Sequence, residues 1–385
     1  MAESSVSRTV ADAPHRALLA DSVAAFTGRG TDVVRARRLR GSNEEYDHAT
    51  WRRMAELGWL GILVPDTYGG LGLGLSEMGV VAKGLARALA PEPLVASAVM
   101  AATALADGDC EALKREQLPR IVAGGIVPVL AWQETAGAWA AGPPALQARP
   151  LEGGYRLTGV KRFIGGAAQA DAFLVSALAE ASPALFWVAR DTAGVRLELE
   201  LLADGRHFGT LTLTDALVSR AHVVARGTAA ADALARSLDY GAAIASAELC
   251  GLAERALEIS LDYLKTRVQF GKPIGSFQAL QHRAVDLYIQ KELAGAVLDQ
   301  VLETLDGAPD AATRSALASR VKARCSDVAL RVTREAIQLH GAIGFTDDCD
   351  IGLYMKRALV LAAWLGNTTQ HRRRYVALNS VNGEW

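Results

Sequence analysis

The sequence predicts an α+β multidomain fold: an N-terminal α-helical domain, a middle antiparallel β domain and a C-terminal four-helix bundle. Three observations carry this. Apolar residues recur at helical spacing up to Gly124-Gly125. Between Ile126 and Val224 the pattern changes to short runs bounded by Gly, Pro and Asp. From Ala229 onward, long helical segments return, separated by Gly and Pro breaks. The expected domains are residues 1–124, 125–228 and 229–385.

In the first block, Tyr46–Trp59, Ser76–Leu89, Leu94–Leu105 and Glu111–Val122 keep apolar residues three and four apart, the mark of amphipathic helices. Gly69-Gly-Leu-Gly-Leu-Gly74 offers Gly-x-Gly spacing, but it joins two helices without the preceding strand and later acidic residue of a dinucleotide fingerprint. It reads as a flexible connector. In the second block, Val127–Trp132, Tyr155–Val160, Ala172–Ala177, Ala184–Ala189 and Leu211–Leu213 read as strands, with turns at Gly153-Gly154 and Gly165-Gly166. The third block gives helices over 230–266, 276–305, 310–340 and 351–376, and short connections between long helices imply an antiparallel bundle. The small residues Gly241 to Ala247 suit close helix packing, and equally a roomy pocket.

The 385 residues carry a formal net charge of −1, so no overall basic field points to nucleic acid. No uninterrupted apolar run reaches the eighteen residues of a membrane span, and the N-terminus has no basic stretch followed by an apolar one. Cys110, Cys250, Cys325 and Cys349 form no Cys-x-x-Cys pair and stand at no metal-ligand spacing from a His. They read as free thiols, with Cys250 and Cys325 in the core. A cytoplasmic protein without a metal site is the expectation.

Two strings interrupt the bundle helices: Arg267-Val-Gln-Phe-Gly-Lys-Pro-Ile-Gly-Ser-Phe-Gln278 and Gln338-Leu-His-Gly-Ala-Ile-Gly-Phe345. Arg267 follows a long helix, where a guanidinium can give paired hydrogen bonds to pyrophosphate oxygens or simply sit on the surface. Phe270 can cover a flat ring or fill the core. Gly341 suits a helix C-terminal cap.

Together these strings resemble the signature of the acyl-CoA dehydrogenase flavoenzymes, and the resemblance runs from about residue 45 to 375. It extends to Trp51, to Glu56-Leu-Gly-Trp-Leu-Gly-Ile62 and to Tyr68-Gly-Gly70 near the N-terminus. The resemblance implies FAD as cofactor. It sends Arg267, Phe270, Phe277, Gln278, Gln338 and Gly341 toward the FAD of a neighbouring subunit.

Elsewhere the chain departs from the family. The flavin loop that usually reads Thr-Glu-Pro-x-x-Gly-Ser-Asp is here Gln133-Glu-Thr-Ala-Gly-Ala-Trp-Ala140, with only Glu134 kept. The later flavin-facing segment reads Phe163-Ile-Gly-Gly166 and has lost its hydroxyl. Gln133, Phe163 and Thr368 remain as secondary candidates for cofactor contact. Dehydrogenation needs a carboxylate base for the α-proton of the thioester. The resemblance places that base at one of two positions, and they hold Leu365 and Gly241. No catalytic residue is thereby assigned. Glu248 lies two turns along from Gly241 on the same face, while Asp239 is turned to another side.

The parts lent to a neighbour's FAD are therefore present, and the parts for the chain's own flavin and chemistry are degraded. This resembles the base-lacking subunit of the α2β2 acyl-CoA dehydrogenases of actinobacterial steroid side-chain degradation. The resemblance implies an acyl-CoA substrate, with a bulky thioester expected, a paralogous partner subunit and electron-transfer flavoprotein as acceptor. Three other readings stand beside it: a self-sufficient homo-oligomer with a relocated base such as Glu248, a non-catalytic flavin- or CoA-binding scaffold, and a relative that passes electrons to oxygen.

Overall fold

A computed structural model describes residues 4–28, 33–42, 44, 46–137 and 144–380. The N-terminal helices are α1 (Ser4–Phe26), α2 (Val34–Leu39), α3 (His48–Glu56), α4 (Leu75–Arg87), a π-helical segment Val95–Ala101 running into α5 (Ala102–Ala106), and α6 (Glu111–Val122). Asp47 starts α3 by accepting from the Ala49 N–H at 2.9 Å. Asp306, from the far end of the chain, accepts from the Leu75 and Ser76 N–H groups and so caps α4 in trans.

The connector at Gly69–Gly74 is not flexible. Its backbone folds back on residues 61–65, with Leu71 donating to Gly61, Gly72 to Val64 and Leu73 to Ile62. A Cβ at Gly70 would lie 2.0 Å from the Val64 carbonyl oxygen, so only glycine allows this approach. Composition alone gave no sign of this pairing.

An eight-stranded sheet follows: β1 (Pro128–Ala131), β2 (Gln147–Leu151), β3 (Gly154–Gly165), β4 (Ala172–Ala179), β5 (Ser182–Ala189), β6 (Val195–Leu201), β7 (His207–Ser219) and β8 (Val223–Arg226). The order is β6-β7-β3-β2-β4-β5-β8, with β1 also beside β4. Most neighbours are antiparallel, while β1 and β2 run parallel to β4. The sheet has its own apolar core, which includes Leu157, Phe173, Phe186 and Leu211.

The bundle comprises α7 (Gly227–Thr266), α8 (Gln278–Asp306), α9 (Ala311–His340), α10 (Ile351–Ala363) and α11 (Thr368–Ser380). A short hairpin, β9 (Val268–Gln269) and β10 (Lys272–Pro273), separates α7 from α8. The segment expected as one helix over 351–376 is broken at Trp364–Asn367, because Leu365 takes φ +59° and Gly366 φ +92°. Gly241 to Ala247 are all buried, as close helix packing requires. Cys250 and Cys325 face each other across α7 and α9 as buried free thiols, 3.5 Å apart. Among the described residues no helix is long and apolar enough to cross a membrane.

Asp239 ties the bundle together. Fully buried on α7, its carboxylate accepts from Arg314 at 3.0 Å, Ser315 at 2.8 Å and Arg374 at 2.8 Å, linking α7, α9 and α11. Both oxygens are occupied and the charge is compensated, so this carboxylate serves structure. Asp239→Ala leaves the Arg314 and Arg374 guanidiniums without their counter-charge and is expected to cost about 3–5 kcal/mol, read from the shift in urea midpoint.

Candidate active site and cofactor-binding surfaces

The two positions that the family resemblance gives to the base meet in space. A Cβ on Gly241 would stand 3.2 Å from Leu365 Cδ1 and 2.7 Å from Met100 Cγ. Leu365 is 2% exposed and Met100 2%. Residues 124 positions apart in sequence, 365 less 241, thus share one small volume, and that volume is filled with apolar side chains. The described side chains nearest to Gly241, those of Met100 and Leu365, offer no proton acceptor.

The turn carrying Leu365 is clamped from behind. Fully buried Lys322 on α9 donates to the carbonyls of Leu361 at 2.9 Å and Gly366 at 3.0 Å, which would otherwise be left open where α10 ends. Burial pulls its ammonium down to about 7. His371 Nε2 lies 2.7 Å from the Leu365 carbonyl, which makes this nitrogen the protonated donor of a neutral ring. Burial first, and then the charge of Lys322, holds this imidazole down at about 3. Asn367 and Gln370 exchange backbone-to-side-chain bonds at 2.8 and 3.0 Å, a capping box that starts α11.

In front of the clamp, Trp364 lies on the end of β3. A Cβ on Gly165 would come 2.8 Å from Trp364 Cζ2, and Phe208 sits beside the indole at 6.4 Å between ring centroids. The cleft here is lined by Pro93, Ala96, Gly166, Phe208, Glu248 and Trp364, among others, and its free volume is about 50 Å³. A small-molecule or cofactor site usually needs roughly 300 Å³ or more. Glu248 does reach this cleft, but its carboxylate accepts from Arg357 at 2.9 Å, and the same guanidinium bonds Asp204 at 2.9 Å.

The remnant of the flavin loop serves the β domain. Glu134 accepts from the backbone of Ala145 and Leu146 and from Lys161 at 2.7 Å. Lys161, fully buried, also donates to Trp132 O and Ser176. Burial pulls this ammonium down to about 8, against the pull of Glu134. Gln133 donates to its neighbour Thr135 O at 3.1 Å, and its own carbonyl accepts from Arg162 at 2.7 Å. Phe163 is half-buried at φ +56°. Thr368 opens α11 beside this loop, to which Gln370 is bonded through the Gly137 carbonyl. Positions 138–140 of the loop lie outside the described residues.

The other candidate set gathers at the opposite end of α7. Tyr263 on α7 stacks on His340 of α9 at 4.4 Å, and Arg283 of α8 bonds Glu335 of α9. These contacts bring Arg267, Gln278, Gln338 and Gly341 to one end of the bundle, all four exposed. The Arg267 side chain has no partner among the described residues. Phe270 is 91% exposed at the tip of the hairpin, with φ +52°, and stands 6.1 Å edge-on from Phe277. A bare aromatic ring on a backbone that L-residues avoid is doubly unfavourable unless something covers it. Val268, Ile343 and Phe345 add to the exposed apolar surface, and α8 displays Val285, Tyr288, Ile289 and Leu293 along one stripe.

Sequence reasoning missed Lys322, His371 and Arg357. One signal was present: Lys322 sits in register with Ala318, Cys325 and Ala329 on the apolar face of α9, where a charge must find partners.

Comparison with known proteins agrees with this architecture. Sequence models of the acyl-CoA dehydrogenase N-terminal and C-terminal domains match residues 14–125 and 230–377. Acyl-CoA dehydrogenase FadE27 of Mycobacterium tuberculosis is 31% identical over 343 residues, covering 86% of this chain and 88% of that protein. Acyl-CoA dehydrogenase IpdE2 of Mycolicibacterium smegmatis is 30% identical over 363 residues, covering 94% and 98%. The ChsE4-ChsE5 complex from Mycobacterium tuberculosis contains a chain 29% identical with a TM-score of 0.85, covering 96% of this chain and 98% of that one. The helical, sheet and bundle layers define an acyl-CoA dehydrogenase fold, and this chain belongs to the acyl-CoA dehydrogenase family.

His371 supplies a pH test of the clamp. The unfolded imidazole takes up a proton near 6.5 and the folded one only near 3, so the unfolded state binds more protons between these values. Stability contributed by the neutral ring is present above about pH 6.5 and is lost as pH falls toward 3. The slope is at most about 1.4 kcal/mol per pH unit. In His371→Gln the difference in urea-derived stability between pH 7 and pH 4.5 should be smaller than in wild type.

Proposed function

We propose that this chain is the site-completing subunit of a heteromeric, FAD-dependent acyl-CoA dehydrogenase, and that a paralogous partner supplies the base. One observation carries the reading: both family base positions, Gly241 and Leu365, are apolar and packed against each other beneath Met100. Removing the α-proton of a thioester requires an acceptor within hydrogen-bond reach, and the described side chains around Gly241, those of Met100 and Leu365, offer none.

The second support is distance along α7. Gly241 and Arg267 are separated by 26 residues (267 less 241), or roughly 39 Å at the rise of an α-helix. One dinucleotide cannot touch both ends of that span within one chain. The exposed end fits FAD in its donor set: a guanidinium for phosphate oxygens, the amides of Gln278 and Gln338, and an uncovered Phe270 ring. At Gly341 the backbone is open, with nothing within 4 Å of where a Cβ would be. The apolar surface around it is what a partner would cover. FAD held by such an assembly would supply the two-electron acceptor, with an electron-transfer flavoprotein as the expected onward partner. The substrate is an acyl-CoA thioester, and the likeness to a chain of the ChsE4-ChsE5 complex supports a two-gene assembly.

A second reading, a homo-oligomer using Glu248, draws on a carboxylate that lines the Trp364 cleft beside the empty base position. It requires Glu248 to leave Arg357.

The chain purified alone should not reduce a dye in the presence of FAD and acyl-CoA thioesters, whereas co-expression with a paralogue bearing the family glutamate should restore turnover. Within that complex, Arg267→Ala should weaken FAD binding by about ten- to a hundred-fold, the loss of one or two charge-assisted bonds. Acyl-CoA-dependent turnover by this chain alone, abolished by Glu248→Gln, would replace the first reading with the second.

A further inference from the structure

The cleft between β3 and the turn 364–367 is where the resemblance expects a flavin-facing hydroxyl, yet the chain fills it with its own side chains. Gly165 stands where that hydroxyl would be, and the Trp364 indole occupies the space above it, 2.8 Å from where any Cβ would project. A serine or threonine here and the indole in this place exclude one another, so the two residues form a matched pair. The far wall is equally tight: a Cβ on Gly166 would come 2.9 Å from Pro93 Cβ. Phe208 closes one side, and Leu365 with Met100 fills the depth beside Gly241. The turn does not rest on these contacts alone, because Lys322 holds the Leu361 and Gly366 carbonyls and His371 holds that of Leu365. Leu365 is kept at φ +59°, a conformation that ordinary L-residues avoid, which shows how firmly the turn is over-determined.

We infer that Trp364 and Leu365 are a built-in plug, held in place by Lys322 and His371, which closes this chain's own cleft to a flavin ring and to an acyl thioester. The sole flavin contact left to the chain is then the exposed one around Arg267. The inference rests on the site-completing reading for its biological sense, but its test does not need a partner. Riboflavin carries the flavin ring without the adenylate half that the Arg267 end would hold, so a failure here is separable from a failure of that reading.

The full-length chain is titrated with riboflavin, and quenching of flavin fluorescence is followed. Wild type should show no saturable quenching, and Trp364→Gly should bind about ten-fold or more tightly than wild type. Circular dichroism confirms that the variant is folded. One ring bound per wild-type chain, or a folded Trp364→Gly no better than wild type, would overturn the plug. If Trp364→Gly does not fold, Gly165→Ser decides: its added atoms should expel the indole and shift tryptophan emission to the red. An unshifted spectrum in that variant would equally overturn the proposal.

Discussion

The forty-residue helix α7 is the constraint on which the rest of the structure depends. It is buried along most of its length, from Ala230 to Leu264, and it meets α4, the π-helical segment and α5, strands β5 and β8, and bundle helices α8, α9 and α10. Asp239 and its two guanidiniums fix its rotation relative to α9 and α11. A helix held this way acts as a spine with two ends that cannot approach each other. Gly241 looks into the closed cleft, and Arg267 caps the other end at the surface. The division between a sealed internal site and an open external one follows from that rigidity.

Chemistry divides along the same spine. At the internal end four charged or titratable groups are committed: Lys322 and His371 to the turn, Glu248 to Arg357, Glu134 to Lys161. These are buried or partly buried groups engaged in bonds that hold shape. At the external end the opposite holds. Arg267 is without a partner among the described residues, Phe270 is bare on a left-handed backbone, and the Gly341 backbone lies open. Unpaired donors and uncovered rings at a surface are the features of a binding face.

Much of this was legible in the sequence, for identifiable reasons. Helical and strand periods separated the layers, because the buried face of each element repeats with its own spacing. The strings at Arg267 and Gln338 stood out because Gly and Pro interrupt otherwise continuous helices. Three things were hidden. The break at Trp364–Asn367 has a leucine, not a glycine, at its first left-handed position, although Asn367 and Gln370 do carry the capping-box spacing. The pairing of Gly69–Gly74 with residues 61–65 depends on backbone hydrogen bonds that composition does not record. The convergence of Gly241 and Leu365 needs the tertiary fold, since nothing in a single sequence says that positions 124 apart are in contact.

The most direct test of shared site assembly is an electron cryomicroscopy map of this chain in complex with a paralogue and FAD. The site-completing reading predicts flavin density whose adenylate end meets Arg267, Gln338 and Gly341, with the ring inside the partner, and with Trp364 still seated on Gly165. Flavin ring density in this chain's own cleft, with Trp364 displaced, would contradict it.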